Sequence, residues 1–347
     1  MASAAASTFA PADDKAKARL HTIIRFAAGT TGAFVVAEAM GWYPTFLGAL
    51  LAGVLLANLP KPPPLKLGVA LVVIQAAGAY SAYILTSLLH ETPAVLFGTI
   101  ALILLLCFAN LAQGRGFLPI LLVLISYSTI PIVTMIAPQQ AGALPFAFVR
   151  GMAIAVMAVW ISHALWPRLS PPAAPPAPAA FDYPLARALT GVAIVLPLML
   201  LYLMYGITDA LPVLITTVVL VINFDPKRGV MQGAAMMFGN FIGGIVALLS
   251  QALLQVAPSL ATLSLITFLV ALLFAVRIER GGPASAVGLI TFNQAIVLFS
   301  LSLAPGGSSP GLWMTRLVQF GIACTFAVGM MSLLFPRLNS MMRRRYS

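Results

Sequence analysis

The chain has 347 residues, 61% of them apolar and only 8% charged, with a formal net charge of +11. Water-soluble domains carry about 25% charged residues, so a single water-soluble globule is excluded and the composition is that of a chain solvated largely by lipid. The positive excess reads as orientation bias of short loops, not as a nucleic-acid footprint.

Residues 1–19 form a small, polar tail of mixed charge (Asp13, Asp14, Lys15, Lys17, Arg19). No short apolar core with a small-residue cleavage site follows, so the first apolar run reads as a retained span. Apolar runs then lie near 20–40, 43–59, 65–89, 94–112, 117–137 and 143–166. A second set lies near 185–206, 209–224, 229–255, 258–276, 284–304 and 312–335. A helix needs about 20 apolar residues to cross a bilayer; the runs at 43–59 and 209–224 are short and read as tilted, re-entrant or broken. With the N-terminus inside, Lys61, Lys66, Arg115, Arg168, Lys227, Arg228, Arg277, Arg280 and Arg337 fall on one face, and Glu91 and Asp209 on the other. That asymmetry predicts two cytoplasmic termini. The C-terminal cluster Arg343-Arg344-Arg345 reads as a basic anchor on the same side.

The two sets repeat one another. Arg25 and Gly29 pair with Arg187 and Gly191; Gly41, Asn58, Gly68 and Gly78 pair with Gly206, Asn223, Gly233 and Gly243. Arg115-Gly116 pairs with Arg280-Gly281, Arg150 with Arg316, and Trp166-Pro167-Arg168-Leu169 with Phe335-Pro336-Arg337-Leu338. The expected fold is therefore an all-α polytopic membrane protein of about 12 transmembrane helices, arranged as two parallel six-helix repeats. Its organisation is a tail (1–19), a first repeat (20–169), a Pro/Ala-rich linker (170–183), a second repeat (184–338) and a basic tail (339–347). The linker reads as a semi-rigid polyproline spacer.

Each copy opens with an Arg-led span of small residues (Arg25-Phe26-Ala27-Ala28-Gly29; Arg187-Ala188-Leu189-Thr190-Gly191). A Gly-containing turn, a short span after Pro44 or Pro212, a basic turn and a Gly-rich third span follow. In this pattern the chain resembles the fusaric acid resistance and aromatic acid exporter superfamily of bacterial inner-membrane proteins. The larger exporters of that superfamily carry a sizeable cytosolic domain, which the Pro/Ala linker replaces here. The resemblance implies efflux of small, mainly aromatic, carboxylic acids and a periplasmic membrane-fusion (adaptor) protein as partner.

A transporter needs polar groups near the bilayer midplane and, if ion-driven, a group that titrates there. Glu38, late in the first span, is a candidate proton-coupling carboxylate or an outer-interface acid. Asp209 is the second such candidate, with a solvated turn or helix N-cap as its bland reading. Arg150 precedes Arg168 by 18 residues and Arg316 precedes Arg337 by 21, or about 27 and 31 Å of helix. Both arginines thus break the orientation pattern at matched places, either as binding groups for an organic anion or as snorkelling anchors. Asn293 and Gln294 lie mid-run; they line a path or bridge helices through hydrogen bonds. Asn223, like Asn58, closes a short span, where it satisfies freed backbone groups or lines a substrate vestibule. Asn240 and its partner Gln75 carry the same two readings.

The G-x-x-x-G spacing at Gly239 to Gly243 is a helix-packing signal, since no phosphate-binding lysine accompanies it. Trp42, Tyr43, Trp166 and Trp313 read as interfacial belts. His21, His90 and His163 are scattered, and Cys107 and Cys324 lie in apolar runs, so no metal, cofactor or disulfide is expected. The expected partners are the lipid bilayer, a small organic anion and, from the small-residue span faces, further copies of the chain. The leading expectation is a proton-driven secondary exporter and not an enzyme. Two alternatives remain: a non-transporting membrane scaffold or assembly subunit, and an integral-membrane enzyme on lipid-linked substrates.

Overall fold

A computed structural model describes residues 12–59, 61–167, 184–206, 214, 215, 217, 218, 221, 226–303 and 310–346. Every regular element among them is helical. In chain order they are α1 (Ala12–Ala39), α2 (Phe46–Asn58), α3 (Leu65–Leu89), α4 (Pro93–Ala112), α5 (Phe117–Ile136) and α6 (Ala143–Leu165). After the linker come α7 (Pro184–Tyr205), α8 (Pro226–Val256), α9 (Leu260–Glu279), α10 (Gly282–Leu303) and α11 (Pro310–Tyr346). A single turn, Pro138–Ala141, separates α5 from α6. Ten of these helices are long and apolar enough to cross a membrane. A helix bonds all its own backbone groups internally, which is what a hydrocarbon solvent demands of an apolar run.

The short run near 43–59 forms α2. Its 13 residues rise about 20 Å, less than the roughly 30 Å hydrocarbon core, so α2 does not cross as an upright helix. Of the run at 209–224 the structure describes five positions, all helical; Leu214, Thr217, Val218 and Val221 are buried. Asp209 and Asn223 fall outside the described residues, as does the Pro/Ala linker. Helix extends further than the apolar runs at both ends of the chain: α1 takes in residues 12–19, and α11 continues through the basic cluster to Tyr346.

Turns between the helices use matched chemistry. Gly41 and Gly206 follow α1 and α7 in the left-handed region, with φ of 63° and 64°. Their N–H groups bond back to Glu38 and Leu203, which closes the helix C-terminus as only glycine does without strain. The left-handed glycine after α4 is Gly114 (φ 75°), and after α9 two in succession are left-handed, Gly281 (φ 73°) and Gly282 (φ 63°). Gly116, the sequence partner of Gly281, has φ −36°. The turn is therefore displaced by two residues from the sequence correspondence.

Packing follows the same register. α3 lies on α5 and α6, as α8 lies on α10 and α11. Gly68 of α3 faces Val156 and Trp160 of α6, and Gly233 of α8 faces Val328 and Cys324 of α11. Across the halves, α1 packs on α9 and α7 packs on α4, while α2 meets α10. The core sits at this seam: Phe26 meets Phe292 edge-on at 5.1 Å, and Phe34 stacks on Phe299 at 6.0 Å. Phe34, Phe108 and Phe292 are fully enclosed, whereas Leu102, Leu106, Leu249, Leu253, Leu269 and Leu273 point outward. Apolar side chains on both faces are what lipid contact requires.

At the end of the bundle where α1 begins, cations tie helices together. Arg25 is buried, and its Nη1 donates to the carbonyl of Trp166 at 3.2 Å, at the C-terminus of α6. His21 Nδ1 lies 3.1 Å from the next carbonyl, Pro167. These carbonyls are the unsatisfied, partly negative end of α6, where a cation is favoured. Trp160 Nε1 donates to Pro63 O at 2.8 Å and Arg19 pairs with Glu279 at 2.8 Å. Arg25→Ala is expected to lower stability by about 1.5–3 kcal/mol, the worth of a charged hydrogen bond at a buried site. Thermal unfolding in detergent, with Arg25→Lys as the milder variant, checks this.

Candidate polar sites in the bundle

Two groups of polar residues lie away from the basic end. The first is at the far end of α1. Glu38 occupies the last turn of α1, partly buried, and its Oε1 accepts from Thr45 Oγ1 at 2.5 Å. Thr45 Oγ1 is also 2.6 Å from Ser300 Oγ on α10. Thr45 and Ser300 are both buried, so this hydroxyl chain joins the first half to the second. With Glu38 ionised, the hydrogen count sets its direction: the single Thr45 hydrogen goes to the carboxylate, so Ser300 donates to Thr45.

Arg150 reaches the same turn from α6. Its Nη2 donates to Tyr43 O at 3.3 Å, and its guanidinium lies 4.8 Å from the Trp42 ring and 5.4 Å from the Phe146 ring. It is thus a partly exposed cation held on two aromatic faces at the rim.

The second group lies inside the bundle. In the first half, Gln75 of α3 donates to Ser126 of α5 at 3.0 Å and Tyr127 donates to Ser81 at 2.9 Å. These polar groups satisfy one another across helices. In the second half the matching positions are Asn240, Thr291, Phe292, Asn293 and Gln294. Asn240 and Thr291 bond back to their own helices. Asn293 Oδ1 and Gln294 Oε1 are buried with no hydrogen-bond partner among the described residues.

The same is true of Trp313 Nε1 and Gln319 Oε1 on α11, and of the Tyr202 hydroxyl on α7. Trp313, Arg316 and Gln319 recur every third residue, so they share one side of α11 over about 9 Å of its length. Arg316 is 3% exposed. Matched in sequence, Arg150 and Arg316 therefore differ in place, one at the rim and the other enclosed. The Gly243-Gly244 pair of α8 lets this group close up. A Cβ on Gly243 would stand 3.0 Å from Gln294 Cβ, and one on Gly244 would stand 1.8 Å from Trp313 Nε1.

A buried polar atom without a partner costs about 1–3 kcal/mol, and unexplained ones point to an absent water, ion or ligand. Here carbonyl acceptors on α10 and α11, an indole donor and an enclosed guanidinium on α11, and a phenol on α7 are all buried in the second half. That inventory fits an organic anion with further hydrogen-bonding or aromatic groups.

An apolar groove of ≈ 270 Å³ runs between α1 and α6 over Gly29, Gly32 and Ala33. A shallower one lies on α11. Met157, Ile161 and Leu165 line the first, and Thr325, Gly329 and Leu333, each 168 residues later, line the second. Ser162, in the first groove, bonds back to the Ala158 carbonyl of its own helix, and the rest of that lining is apolar apart from the Trp166 indole.

Glu38, Arg150, Arg316, Asn293 and Gln294 were legible as candidates in sequence; Thr45, Ser300, Trp313, Gln319 and Tyr202 were not. Spacing alone would have found Gln319 three residues after Arg316. No sequence signal joins Thr45 to Ser300.

Fold and composition together define a multi-pass helical membrane protein. A family model described as "Protein of unknown function (DUF2955)" matches residues 22–161, which run from α1 to α6, so the first half is similar to that family. None of the curated proteins matches the chain, and no solved structure does.

Proposed function

We propose that this protein is a secondary efflux transporter of small organic acids, aromatic carboxylates foremost, driven by protons across the bacterial inner membrane. On this reading it follows the fusaric acid resistance pattern, with both termini cytoplasmic and a periplasmic adaptor receiving the substrate. Its two parallel six-helix halves derive from duplication. The matched glycine contacts, the reciprocal α1–α9 and α7–α4 packing, and a family match confined to one half support that origin. The observation that carries the transport reading is the enclosed Arg316 in a half of the bundle that also buries several polar atoms without partners. A scaffold has no use for such a group inside an apolar bundle, and an anion carrier does.

Substrate would meet Arg316 through its carboxylate, with Trp313 against its ring and Gln319, Asn293 or Gln294 accepting from a ring hydroxyl. Glu38 would exchange the driving proton at the far end. Purified protein in sealed vesicles is expected to move hydroxylated benzoates in response to a pH gradient. Glu38→Gln is expected to abolish the response to the gradient while substrate exchange without it continues. Absence of flux for any aromatic or aliphatic carboxylate in the unmodified protein would sink the reading.

A further inference from the structure

The hydroxyl chain at the far end of α1 has two stable hydrogen arrangements, and it joins the two halves. With Glu38 ionised, Ser300 donates to Thr45 and Thr45 donates to the carboxylate. With Glu38 protonated, the carboxyl has its own hydrogen and can give it to Thr45 Oγ1. The Thr45 hydrogen then turns to Ser300 Oγ, and the Ser300 hydrogen turns back to a carbonyl of its own helix. In the first state the bond to Ser300 is strengthened by a charge at the end of the chain; in the second it is a neutral bond, about half as strong.

Ser300 lies seven residues beyond Asn293, two turns along the same side of α10 and about 10 Å away. Asn293 and Gln294 sit at the middle of that helix with their carbonyl oxygens unpartnered. A change in how tightly α1 and the Thr45 turn hold α10 is therefore passed to the polar group by a single rigid element. The charged neighbour of this turn is Arg150, which reaches it from α6. α2 and α10 have no ionisable residue, and on α9 the charged residues Arg277 and Glu279 lie at the opposite end, so among the described residues of these helices no other cation or acid competes.

We propose that Thr45 and Ser300 form an inter-half latch through which the protonation of Glu38 sets the position of α10 and so the state of the interior polar group. They are positioning residues, acting through Glu38 and α10 and not by touching substrate. As a coupling device the latch rests on the transport reading; as a proton-sensitive contact between halves it can be tested without it.

Spin labels at Met40→Cys and Leu303→Cys, in full-length protein with Cys107 and Cys324 replaced by Ala and placed in lipid nanodiscs, report the separation of α1 and α10. Distances are read at about pH 3 and about pH 8, on either side of ordinary carboxylate titration. The separation is expected to change with pH and to stay in its low-pH form at both values in Glu38→Gln. In Ser300→Ala and Thr45→Val the pH response is expected to vanish, and Thr45→Ser is expected to restore it. Ser300→Ala decides the matter if Thr45→Val does not fold. A full pH response in Ser300→Ala, or none in the unmodified chain, overturns the latch. In vesicles, Ser300→Ala is expected to cut gradient-driven flux by about tenfold or more, with gradient-free exchange kept within about twofold, the scale of one lost charge-assisted bond. A pH-dependent separation in a protein that moves no organic acid would leave the latch standing and remove the transport reading.

Discussion

Arg316→Leu is expected to lower substrate affinity by roughly ten- to a hundredfold and to lower the thermal midpoint as well. The two effects have different causes. A charge-assisted hydrogen bond to a carboxylate is worth about 1.5–3 kcal/mol, and all of it is lost to the substrate. Folding loses the interactions the buried guanidinium makes within the protein, and a buried group left without its partner costs about 1–3 kcal/mol. Arg316→Lys keeps the charge without the two-pronged geometry and is expected to fall between the two. Arg150→Ala is the contrast. Its guanidinium is partly exposed on aromatic faces, where such contacts are worth about 0.5–1 kcal/mol, so about a two- to fivefold effect is expected. Equilibrium binding of a labelled aromatic acid, with unfolding followed on the same samples, checks both. Equal losses for the two arginines would return the pair to a shared interfacial role.

Gly244→Ala is expected to be the most damaging of the conservative packing changes. Its Cβ would lie 1.8 Å from Trp313 Nε1 and 2.1 Å from Trp313 Cδ1, far inside the roughly 3.5 Å of non-bonded contact. An indole is rigid, so either the ring leaves its place or α8 and α11 separate. Overpacking of this kind costs about 1–3 kcal/mol, and moving Trp313 also disturbs the side of α11 that holds Arg316. A lower thermal midpoint and a changed tryptophan emission are expected. Trp313→Phe in the same chain is expected to recover part of the stability, since the two positions are coupled through one contact. Gly32→Ala is the control: nothing lies within 4 Å of its added carbon, and its stability is expected to match the parent. Equal effects at Gly32 and Gly244 would mean that loss of glycine, and not the indole contact, is responsible.

These variants also mark where the sequence stops being informative. The arginines stand out because a cation inside an apolar run is rare, and Glu38 for the same reason. Asn58 was open to two readings, and its side chain bonds Val54 O of its own helix. Gln75 bridges helices, whereas Gln294 in the second half leaves its carbonyl oxygen without a partner. Those outcomes depend on what stands opposite each side chain. In a soluble helix the polar face would reveal the inward direction. A helix that is apolar all round gives no such cue, because lipid and protein core accept the same side chains.

By itself, the amino-acid sequence determined the class of molecule. Run length and the scarcity of charge impose helices that cross a bilayer, and glycines such as Gly41 and Gly206 end them where they do. The internal correspondence between halves was readable for the same reason, since repeated backbone demands leave repeated residues. Tertiary structure alone decided what the few polar residues became. It put Arg150 on the rim and Arg316 inside, although their positions match. It also brought Thr45 within 2.6 Å of Ser300 across 255 residues of chain. Hydrogen bonds act over about 3 Å, and which atoms come that close is set by how the two halves pack, a relation that no local pattern encodes.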